Sequence, residues 1–87
     1  MNNQTETNEE LQRRLYLSEF EYFDGEEFIT MNIVDINLNM NKIQVAVTNR
    51  GKISVIKYDL MRDKNGCLYF EHGPFYERYK IDDFEEV

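Results

Sequence analysis

A chain of 87 residues with 41% apolar and 14% aromatic side chains is one small domain, able to bury a core but with a thin margin of stability. No apolar run is long enough to span a membrane, residues 1–6 have neither the basic nor the apolar part of a secretory signal, and the single Cys67 cannot form an internal disulfide, so a cytoplasmic protein is expected. The formal charge of −7 is distributed as −6 over residues 1–28, +3 over 29–70 and −4 over 71–87, which disfavours duplex nucleic acid and favours a basic surface on another protein as the partner.

Residues 1–7 read as a disordered tail and 8–87 as a single β domain. Thr7-Asn8-Glu9-Glu10 fits a capping box, with Thr7 at the N-cap and Glu10 three residues on. Leu11 and Leu15 follow at i, i+4, with acids in the first turn and Arg13 and Arg14 later, which predicts a short helix from about Asn8 to Arg14. Residues 15–23 allow two readings. Alternation through Tyr16, Ser18, Phe20 and Tyr22, followed by Asp24-Gly25, predicts a hairpin; the rival extends the helix to about Tyr22. The hairpin, with a two-residue turn, sets Phe23 against Glu26, Phe20 against Ile29 and Tyr16 against Ile33.

The strand from about Glu27 to Leu38 changes phase. Ile29, Met31 and Ile33 share one parity and Val34, Ile36 and Leu38 the other, which predicts a bulge or bend near Ile33-Val34. Either Leu38 or Ile36 then sits opposite Ile43. At Asn49-Arg50-Gly51, a type I turn with Gly51 left-handed pairs Thr48 with Lys52, Val47 with Ile53, Ala46 with Ser54 and Val45 with Val55. A second phase change is expected at Val55-Ile56. Asp63-Lys64-Asn65-Gly66 sets Arg62 against Leu68, Leu60 against Phe70 and Tyr58 against His72. Gly73-Pro74 ends that strand. A last strand near Glu77–Ile81 and one helical turn that tucks Phe84 inward close the chain. The expected fold is mostly β: a small antiparallel barrel or strongly bent meander of five to six strands, with a short N-terminal helix.

Catalytic chemistry has little to stand on. Cys67 and His72, the only histidine, have opposite strand parity and face opposite sides, so Cys67 reads as inert and His72 as an edge residue with a solvated ring. Zinc needs about four ligands of this type and two are present, and no phosphate- or dinucleotide-binding motif occurs, so no enzyme, metal or cofactor is expected. Aromatic residues beside acids in the last third resemble a protein-binding surface, with Tyr76, Tyr79, Asp82, Asp83, Glu85 and Glu86 as its candidates. The alternative is a small barrel that binds single-stranded nucleic acid through Lys57, Tyr58, Arg62 and Tyr69. An exposed edge strand also leaves a homodimer open.

At Glu21-Tyr22-Phe23-Asp24-Gly25, at Val47-Thr48-Asn49-Arg50-Gly51-Lys52-Ile53-Ser54-Val55 and at Ile81-Asp82-Asp83-Phe84-Glu85-Glu86-Val87, the chain resembles small uncharacterised proteins of Gram-positive phages and mobile elements. The resemblance implies a non-enzymatic inhibitor of a host defence or nucleic-acid enzyme, acting through an acidic surface. It assigns no residue a role.

Overall fold

Thr7 starts the first element as a reciprocal cap: its hydroxyl accepts from the Glu10 N–H (3.1 Å) and the Glu10 carboxylate accepts from the Thr7 N–H (2.9 Å). The computed structural model describes residues 7–86; of the tail expected over residues 1–7, Thr7 belongs instead to the helix cap and the rest lies outside the described residues. Helix α1 (Asn8–Leu15) buries Leu11 and Leu15 and is tied to the next layer by Gln12, whose amide donates to the Ile36 carbonyl (2.5 Å). Asn8 adds a second tie by accepting from the Leu38 N–H (2.9 Å). Leu17, left-handed at φ 65°, turns the chain out of the helix, and the fully buried Ser18 hydroxyl is satisfied by the Leu15 carbonyl at 2.7 Å.

The hairpin reading of residues 15–23 holds, with a corrected register. Strand β1 (Glu19–Phe23) pairs with β2 (Phe28–Asn37) so that Phe23 faces Phe28, Tyr22 faces Ile29 and Phe20 faces Met31. The loop has four residues because one Asp24 carboxylate oxygen accepts from both the Glu26 and Glu27 N–H groups, which widens the turn. Tyr16 caps the helix, is exposed, and takes no part in the ladder.

The expected break in β2 is present. The pairing with β3 (Lys42–Asn49) shifts between Ile33 and Asp35, leaving Val34 as the extra residue. The bulge puts Ile36 on the same buried face as Ile29, Met31 and Ile33, and Ile36 lies opposite Ile43. The next turn departs from expectation. Arg50 (φ 56°) and Gly51 (φ 78°) are both left-handed, so the loop is a two-residue type I′ turn with Asn49 facing Lys52. Its twist matches the flanking strands, and Arg50 in this conformation reaches Glu27 with its guanidinium (2.7 Å). Along β4 (Lys52–Asp59) the pairs are therefore Val47–Ser54 and Val45–Ile56. That one-residue slip turns Ile53 and Val55 outward, at 67% and 60% exposure. The second phase change does not exist: β4 is regular, and Ile56 and Tyr58 are the inward residues.

Leu60 ends this sheet by donating to the Asn41 carbonyl (2.8 Å). Strands β5 (Met61–Arg62), β6 (Leu68–His72) and β7 (Glu77–Lys80) form a second sheet. Arg62 faces Leu68 as expected. Leu60–Phe70 and Tyr58–His72 are not ladder pairs, because β4 and β5 belong to different sheets. A 3-10 turn (Ile81–Asp83) then buries Phe84. Seven strands thus form two antiparallel sheets, β1-β2-β3-β4 and β5-β6-β7, and among the described residues neither closes into a barrel. Phe70, fully buried between them, belongs to one core with Ile33, Ile43, Val45, Leu15, Ile81 and Phe84. No helix among the described residues is long and apolar enough to cross a membrane.

Candidate functional site

After Phe84 the chain runs back to the first strand: the Glu19 N–H donates to the Glu85 carbonyl and the Glu85 N–H to that of Glu19, both at 2.8 Å. This bridge gathers acids from two ends of the chain. Glu19 and Glu21, two apart on β1, share one side of the strand. With Asp83, Glu85 and Glu86 they line a depression of about 360 Å³ that also takes in Phe20. No cation lines it. The acids are not grouped as metal ligands, for among the described residues no three His, Cys, Asp or Glu side chains stand close enough to hold an ion.

The expected partner-binding set is divided. Asp83, Glu85 and Glu86 belong to the acidic depression. Asp82 lines another, with Arg14 and Arg62. Tyr76 is exposed in the β6–β7 turn, at the opposite end of β7 from the acids. Tyr79 is in the core, its ring 5.5 to 5.7 Å from those of Tyr22, Phe20 and Phe70. Glu19 and Glu21 replace these three, and only their two-residue spacing among acids hinted at it.

The four residues of the nucleic-acid reading do not share a surface. Lys57 points outward from β4 and Tyr58 inward, where Phe70 stacks on it at 4.7 Å. The buried Tyr69 carries the Arg78 guanidinium over its ring at 4.6 Å. Arg62 donates to the Gly66 carbonyl (3.2 Å). Base stacking needs open ring faces, and these are taken.

Cys67 lies in the β5–β6 loop, before β6 begins, with its N–H on the Asp63 carboxylate (2.9 Å). His72 is not the solvated edge residue expected. It is half-buried, and its Nδ1 lies 2.5 Å from the Tyr58 hydroxyl. Burial pushes the Tyr58 phenol up to about 12. Burial likewise lowers the His72 pKa, opposed by Glu77, and raises those of Tyr22 and Tyr79. Tyr22 and His72 face a separate cleft of about 610 Å³, floored by Ile29, Val47 and Ile56 and rimmed by charges of both signs.

This cluster predicts loss of stability on both flanks of neutrality. Unfolded tyrosine ionises near pH 10, whereas the folded phenols keep their protons higher. The folded state then binds more protons, and stability falls as pH rises from about 10 towards 12. His72 acts at the acid end: its folded pKa lies below the unfolded value of about 6.5, so stability is complete above that value and falls as pH drops through the folded one. Thermal melts across the two windows should show both declines. Tyr58→Phe should reduce the alkaline one, and an unchanged alkaline limb would contradict the assignment.

Comparison with protein-family models, with curated proteins and with solved structures finds no significant match.

Proposed function

We propose that this chain is a non-enzymatic protein-binding module whose acidic face engages a basic surface on its partner. The observation that supports it is the meeting of five carboxylates from β1 and the C-terminal segment beside the half-buried Phe20, with no cation among the described residues that line the depression. Carboxylates of one sign attract a cationic patch from a distance. An inhibitor of a host defence or nucleic-acid enzyme, acting in the cytoplasm, is the form of this reading to test first.

Affinity capture from a Gram-positive host lysate, followed by mass spectrometry, would identify the partner. Reversal of Glu21, Asp83 and Glu86 to Lys should reduce the captured partner by about tenfold or more at low salt, since removing an attraction and adding a repulsion act together. All three side chains are exposed, so the melting temperature should barely move. Reversal of Glu9, Glu26 and Asp82, which lie off this face, should leave capture unchanged. Equal capture by both triple variants would refute the site.

A further inference from the structure

We infer that the free edge of β4 pairs with β4 of a second copy of this chain, antiparallel about a two-fold axis, to give one continuous eight-stranded sheet. The two edges of the four-stranded sheet differ. At β1 the C-terminal segment bridges Glu19 through Glu85, whereas β4 is hydrogen-bonded in a ladder only to β3 among the described residues, with Tyr58 on its inner face packed on β6. β4 is also eight residues long, free of bulge and proline, and carries the exposed β-branched Ile53 and Val55 beside Lys57 on its outer face.

Its backbone is poised for this pairing. In a ladder closed by a two-residue turn the flanking residues, Asn49 and Lys52, exchange hydrogen bonds, and bonded and non-bonded pairs then alternate. Ser54, Ile56 and Tyr58 therefore direct their N–H and C=O groups at β3, while Ile53, Val55 and Lys57 direct theirs into the open edge. The outward backbone groups thus belong to the same residues whose side chains lie on the outer face.

Symmetry narrows the register. A two-fold axis perpendicular to the sheet keeps inner and outer faces continuous only if residues of equal parity pair. Two such registers overlap nearly the whole strand. One centred on Ile56 sets Ile53 against Asp59 of the second copy, an apolar residue against an acid. The register centred on Val55 joins the two Val55 residues, sets Ile53 against the aliphatic stem of Lys57, and opposes no like charges. It forms about six new backbone hydrogen bonds. The second copy takes a different surface from the acidic face, so this inference stands apart from the proposed function.

Sedimentation velocity on the purified chain tests it. An edge-to-edge contact is at the small end of stable interfaces, so the wild type should move from one chain mass towards two as concentration rises to about 100 µM. Val55→Pro removes an N–H that β3 does not use, from an exposed position, and should weaken association tenfold or more without lowering the melting temperature of the dilute protein. Val55→Lys places two like charges across the axis and should do the same if the proline variant fails to fold. A wild type that stays at one chain mass, or dimers that survive both changes, would overturn the inference. So would dimers that survive both but are lost in Phe23→Ser with Phe28→Ser, which would place the contact on the outer sheet face instead.

Discussion

Phe70→Ala should remove about 3–5 kcal/mol of stability and leave the domain at or near the edge of folding. Phe70 is the largest side chain wholly withdrawn from solvent. It comes from the central strand of the second sheet and its ring lies 4.7 Å from that of Tyr58, at the end of the first sheet. Tyr79 and Phe84 stand at 5.7 and 6.1 Å. No ladder joins the two sheets at β4 and β5, so this aromatic group is a main link between them. A domain of this size has a total stability of about 4–13 kcal/mol, and each kcal/mol moves its melting temperature by about 4–8 °C. The midpoint should drop by more than about 12 °C, with near-ultraviolet circular dichroism lost before the far-ultraviolet signal as the sheets separate. Phe75→Ala, at 85% exposure in the β6–β7 turn, should stay within about 0.5 kcal/mol of wild type. A loss below about 1 kcal/mol at Phe70 would mean that the sheets are held together elsewhere.

What could be read from the sequence was the local part of the fold. The capping box of Thr7 and Glu10 involves residues three apart, and the bulge at Val34 shows as a parity change inside one strand. The register of Arg62 with Leu68 follows from a turn held by Asp63, whose carboxylate accepts from the Asn65 and Cys67 N–H groups. The β3–β4 turn is different. Gly51 signals one left-handed residue, but arginine is not a residue that announces a second, and the ion pair with Glu27 that accompanies the turn comes from 23 positions away. One unanticipated left-handed residue moved Ile53 and Val55 to the outer face and made the phase change expected after them unnecessary, since Ile56 and Tyr58 then point inward along a regular strand. The acidic face is hidden for the same reason. Glu19 and Glu21 look like the solvent side of a strand, and nothing local tells that Glu85 will pair with that strand. Tyr79, read as a surface anchor, sits on the buried row of a four-residue strand too short to display its own alternation.

The slipped register of β4 makes neighbouring residues unequal. Ile56→Asp should cost about 2–3 kcal/mol, and Val55→Asp less than about 0.5 kcal/mol. Ile56 lies opposite the fully buried Val45, so a carboxylate there loses much of its water. Because Ile56 also lines the open cleft, the penalty stays short of that in a closed core. Val55 projects into solvent from the outer face at 60% exposure, where aspartate gives up little more than some β-propensity. Urea titrations of dilute protein, below the concentrations at which copies associate, separate the two: the midpoint should fall for Ile56→Asp and hold for Val55→Asp, at unchanged slope. A three-residue turn at Asn49-Arg50-Gly51 predicts the reverse, because it sets Val55 against Val45 and sends Ile56 outward. The greater loss at Val55 would therefore put Ile53 and Val55 in the core and remove the apolar outer row on which self-pairing of β4 depends.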